Sequence, residues 1–124
     1  MLGWEFYIYR HDLAPDPHLP VPDDRALLAS WVVGLGGLDW IKALEQQGKA
    51  TDLGGNGYPC IFLAMARDVF PVISRGPPTS AGPTVIGDDY VHPSGWIGDS
   101  RYFPDRISSC PGEQMLLIHA WDQS

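Results

Sequence analysis

The densest polar stretch in the chain is IGDDYVHPSGW, residues 86–96, which brings Asp88, Asp89 and His92 within a few positions of one another. Two carboxylates beside an imidazole could orient a general base or hold a divalent ion, and Ser94 could serve as a nucleophile. A serine on a strand–turn–helix elbow needs a glycine two positions before it, and here that position is His92. A hydrolase built on this stretch would have to recruit further groups, such as Asp99 or Glu113. An exposed acidic turn beside an aromatic anchor is the simpler reading.

The remaining histidines add little chemistry. His11, His18 and His119 form no pair at the spacing of a helical zinc motif, and Cys60 and Cys110 are far apart in sequence. The neighbours His11–Asp12 and Asp16–His18 lie in a stretch rich in Pro and Asp, where such pairs arise from composition. His119 belongs to a final apolar strand and is expected to be a hydrogen-bonded or edge histidine. Cys60 sits in a strand, where packing is its expected role. The two thiols are expected to stay separate and partly buried, as in a reducing compartment. No cofactor and no metal site is predicted.

TDLGGNGYPC, residues 51–60, poses the question of a phosphate cradle. Such a loop needs a lysine and a hydroxyl residue after its glycines and a helix behind them; here Gly57 leads into Tyr58, Pro59 and a β-rich run. Asn56-Gly57 is instead a strong hairpin dipeptide, because both residues tolerate positive φ. The cluster reads as a turn between two strands.

These residues need elements to hold them. GWEFYIYR, residues 3–10, alternates Trp4, Phe6 and Ile8 with Glu5, Tyr7 and Tyr9, the pattern of a strand with two partly apolar faces. DDRALLASW suggests a short helix capped by Asp23 or Asp24, with Leu27, Leu28 and Trp31 at helical spacing. LDWIKALEQQG gives a second helix, with an apolar stripe at Leu38, Ile41 and Leu44 and Gly48 as its stop. Strands follow at Lys49–Leu53 and in YPCIFLAMA, then a helical turn halted by Pro71 in RDVFPVISRG. From Pro77 to Glu113 no long periodic segment occurs. That region has two readings: short strands near Thr84–Ile86 and Arg101–Phe103, or a cover pinned by Tyr90, Trp96, Tyr102 and Phe103. QMLLIHAWD closes the chain as a strand apolar enough to pair centrally, beside the first. The expectation is a single α+β domain over residues 1–124, with a mainly antiparallel sheet of about four strands, two helices on one face and a long irregular loop region.

Composition limits the function classes. The 124 residues carry a formal charge of −7, with 15 acidic against 8 basic side chains and no basic cluster. That field opposes nucleic acid and anionic membrane, and favours a basic protein partner. No apolar run approaches the roughly 20 residues of a spanning helix, and the start has no signal-peptide pattern, so a cytoplasmic location is the expectation. Four of the five tryptophans fall on predicted elements; Trp96, in PSGWIGD, does not, and is either a loop anchor or a partner-facing hot spot. Three readings remain. The first is a non-catalytic protein-binding domain, such as a small acidic inhibitor or immunity-type protein, contacting its basic partner through Asp88, Asp89, Tyr90, Trp96 and Asp99. The second is a small hydrolase or metal-dependent enzyme using Asp88, Asp89 and His92. The third is a homo-oligomerising structural domain.

Overall fold

A computed structural model of the chain describes residues 3–13, 24–34, 37–55, 59–74, 84–86, 90–92 and 97–122, with the side chains of 13, 24, 84–86, 90–92 and 97–99 left aside. Six strands form one sheet in the order β3-β4-β8-β1-β2-β7: β1 (Trp4–Arg10), β2 (Leu27–Val33), β3 (Ala50–Gly54), β4 (Cys60–Met65), β7 (Ile97–Tyr102) and β8 (Met115–Asp122). Every neighbouring pair is antiparallel. A separate two-stranded ladder joins β5 (Thr84–Ile86) to β6 (Tyr90–His92), with Thr84 opposite His92. The helices are α1 (Asp39–Gln46), α2 (Ala66–Ile73) and α3 (Pro104–Ser108). The α+β class and antiparallel pairing match the sequence; the sheet is larger than the four strands expected.

The first and last strands lie side by side at the centre, as their apolar character on both faces requires. Phe6, Ile8, Trp31, Phe62, Leu116 and Ile118 share one face and are buried to within 1% exposure. Ile41 and Leu44 of α1 and Val69 and Ile73 of α2 complete this core, so both of these helices cover the same side. Phe6, Trp31, Trp40 and Tyr102 form an aromatic cluster, with Phe6 and Trp31 stacked at 5.3 Å and Trp31 and Tyr102 at 6.2 Å. It ties β1, β2, β7 and α1 together.

Two expectations are corrected. Residues 24–31 do not form a helix: Asp24–Ala26 is one 3-10 turn, and Leu27 begins β2. The reason is a bulge. Tyr9 pairs with Leu27 and Ile8 with Ala29, so Leu28 is an extra residue, and its side chain joins the main core while Leu27 faces the other side. Two adjacent buried leucines followed by Trp31 therefore imitate helical spacing. Pro71 does not halt α2 but lies within it, exposed. The burial of Val69 and Ile73 holds the helix past the missing N–H, and its start is satisfied from outside: Ala66 N–H donates to Gln114 O at 2.8 Å and Arg67 N–H to Gly112 O at 2.9 Å.

The other boundaries follow the sequence closely. α1 ends with Gly48 at φ +75°, a left-handed position suited to glycine. β3 and β4 pair antiparallel with Gly54 opposite Ile61, which supports the hairpin reading, although residues 56–58 at its tip lie outside the described residues. Thr84–Ile86 is a strand, and the predicted strand near Arg101 overlaps the end of β7. Cys60 and Cys110 are free thiols, each half-buried. Among the described residues no helix is long and apolar enough to cross a membrane.

Candidate functional site

The second face of the sheet is covered by neither α1 nor α2, and its polar residues are brought together by strand register. One row across five strands reads Ile61, His119, Tyr7, Ser30 and Arg101. The next row places Glu5 between Trp121 and Val32. Along β1 the Tyr7 and Tyr9 rings stack at 6.2 Å, and Tyr9 meets the edge of His119 at 5.5 Å. His119 is only 1% exposed and stands on a central strand, so it is not the edge histidine the sequence allowed.

The Tyr7 hydroxyl donates to Glu5 Oε1. Together with Ser30, Trp31, Val32 and Arg101 these two residues line a recess of about 110 Å³. Burial pushes the Tyr7 phenol well above its ordinary pKa; the hydrogen bond to Glu5 and its negative charge push further in the same direction, and Arg101 opposes weakly. Tyr7 therefore stays a neutral donor around pH 7, and the pair is fitted to hydrogen bonding rather than to proton abstraction. Arg101 is exposed, with its guanidinium 5.2 Å from the centre of the Phe103 ring, and Arg106 approaches the same ring at 4.2 Å.

A second recess, of about 310 Å³, lies where α2 ends against Tyr102 and α3, lined mainly by Phe70, Ile73, Tyr102, Pro104 and Ile107. The Tyr102 hydroxyl in its lining donates to Ile73 O at 3.2 Å, and burial raises the pKa of that hydroxyl to about 12. Among the described residues no group of three or more His, Cys, Asp or Glu could hold a metal ion.

The site residues expected from sequence fall outside the described residues or have their side chains outside the description. Asp88, Asp89 and Trp96 lie outside the described residues; Tyr90 belongs to β6 and Asp99 to β7, with their side chains outside the description. In sequence Asp88 and Asp89 fall between β5 and β6, and Tyr90 begins β6. Asp99 belongs to the other sheet. His92, proposed for hydrolytic chemistry, pairs in β6 with Thr84. Sequence reasoning missed the grouping of Glu5, Tyr7, Ser30 and Arg101. The alternation along β1 puts Glu5 and Tyr7 on one face, but nothing local announces that β2 and β7 bring Ser30 and Arg101 beside them.

Charge is unevenly distributed along the chain. The stretches 14–24 and 75–96 carry five carboxylates (Asp16, Asp23, Asp24, Asp88 and Asp89) against the single Arg75. The rest of the chain, Asp99 of β7 included, carries ten against seven. Two stretches outside the six-stranded sheet therefore hold more of the −7 than the rest of the chain. Comparison with protein-family models, with curated proteins and with solved structures finds no match to this chain.

Proposed function

We propose that this chain is a non-catalytic protein-binding domain that neutralises a basic partner, in the manner of a small acidic inhibitor or immunity-type protein. The observation that carries the reading is the partition of charge. Two stretches outside the six-stranded sheet, 14–24 and 75–96, carry five carboxylates against one arginine, and the second includes Asp88, Asp89 and Tyr90. Carboxylates gathered on connections steer a cationic partner and set its association rate, while aromatic anchors such as Trp96 and Tyr90 supply the desolvated contact. The Tyr7 hydroxyl, neutral and donating to Glu5, suits a binding surface as well.

The test is capture of partners from a lysate of the source cells by the tagged chain, compared with the Asp88→Lys/Asp89→Lys variant. The expected result is one near-stoichiometric basic protein that is lost at high salt and lost from the variant. Once it is purified, its association rate should fall by about tenfold or more in the variant and depend less steeply on salt. A partner bound equally by the variant, with the same salt dependence, overturns the assignment of Asp88 and Asp89.

A further inference from the structure

Ser30 is the smallest side chain in the row that crosses the second face, and it stands between two large ones, Tyr7 on β1 and Arg101 on β7. Neighbouring strands lie roughly 4.8 Å apart, so Tyr7 and Arg101 are separated by roughly 10 Å at the backbone with only a hydroxymethyl group between them. That step opens the recess of about 110 Å³, with Glu5 and Tyr7 along β1, Ser30 and Val32 along β2 and Arg101 along β7.

The two charges that line it are opposite in sign, and each is held by a partner of its own. Glu5 Oε1 accepts the Tyr7 hydroxyl, and because Tyr7 stays neutral around pH 7 that bond keeps its donor. The Arg101 guanidinium rests 5.2 Å from the centre of the Phe103 ring. Glu5 and Arg101 thus line one recess without forming an ion pair with each other. A carboxylate alone would gain from Arg101 and lose against Glu5, and an ammonium alone would do the reverse. A molecule that carries both groups gains at both walls. The Ser30 hydroxyl between them can donate to a carboxylate or accept from an ammonium. Size narrows the choice further: about 110 Å³ is the share of roughly four liquid waters, room for a molecule of five or six non-hydrogen atoms and not for a long side chain.

We infer that this recess binds a small zwitterion, a free α-amino acid of the size of glycine or alanine, with its ammonium on Glu5 and its carboxylate on Arg101 and the Ser30 hydroxyl. Tyr7 and Phe103 hold the two charged side chains beforehand, so little of the interaction is spent on ordering them. Val32 gives the one-carbon side chain of alanine an apolar neighbour. The site is separate from Asp88 and Asp89, and it stands whether or not those residues bind a basic protein.

The test is titration of the isotope-labelled full chain with L-alanine up to about 20 mM around pH 7, followed by backbone amide shifts in nuclear magnetic resonance spectra. The shifts should saturate with a Kd of about 1 mM or lower and should centre on the residues of β1, β2 and β7 that line the recess. Acetate and methylammonium, each carrying one of the two charges, should bind the unaltered chain at least about tenfold more weakly, a comparison that needs no variant. Glu5→Gln and Arg101→Gln should each weaken L-alanine by about tenfold or more, with the remaining amide positions kept. No saturating shift with L-alanine or glycine up to about 20 mM overturns the inference. So does acetate or methylammonium binding as tightly as L-alanine, or a set of shifts centred on another part of the sheet.

Discussion

Replacing Trp31 with Phe sets two opposed effects against each other. Trp31 is 1% exposed and packed against Phe6, Trp40 and Tyr102, yet its indole N–H is buried with no acceptor among the described residues. Truncation to Phe loses about 40 Å² of buried apolar area, worth roughly 1 kcal/mol. It also leaves a void of about 40 Å³, adding roughly 1 kcal/mol where neighbours do not relax. Against this, it deletes a buried donor whose unpaired state costs about 1–3 kcal/mol. The two sides nearly cancel, so Trp31→Phe should change stability by no more than about 1 kcal/mol. Phe6→Ala, in contact with the same ring but with no polar group to remove, should cost about 3–5 kcal/mol. Urea unfolding followed by far-ultraviolet circular dichroism gives both values without relying on tryptophan emission, and the slopes should match the parent. A loss of about 3 kcal/mol or more in Trp31→Phe would refute the reasoning, since the indole N–H would then have to be satisfied.

Burial raises the Tyr102 hydroxyl to about 12, so the unfolded chain gives up this proton first as pH rises. Stability from this group is intact below about pH 10 and lost between about pH 10 and 12; Tyr102→Phe should flatten that fall in urea midpoints. Tyr7, shifted in the same direction, adds a decline that remains in the variant. Arg106 Nη1 donates to Leu27 O at 2.9 Å, beside the β2 bulge, and stacks on Phe103. Arg106→Ala should cost about 2 kcal/mol in the same unfolding assay, with less than half recovered by Arg106→Lys. Gly55 has φ +106°, and a Cβ there would sit 2.1 Å from Pro59 O, so Gly55→Ala should destabilise the β3–β4 hairpin; Gly48→Ala, with φ +75° and open space, should cost only about 1 kcal/mol. Equal midpoints for the two glycine variants would contradict the close approach.

The elements legible in the sequence were those in which one period governs a whole segment. β1 alternates without interruption, α1 has a clear stripe and a glycine stop, and β8 is apolar on both faces because Leu116, Ile118 and Ala120 enter the main core while Leu117 enters the second cluster. β2 was hidden because its bulge places Leu27 and Leu28 on different faces and then resumes alternation at Ala29, so that no single period fits. β7 was seen only at its end, as the short strand near Arg101–Phe103, for a related reason: its register with β2 contains an extra residue, and its neighbours in sequence carry Gly, Pro and Ser. The row of Tyr7, Ser30, Arg101 and His119 could not be read at all, since three long-range pairings create it. The acidic residues of 14–24 and 75–96 were visible at once, but only the outline of the sheet showed that these stretches contribute none of its six strands.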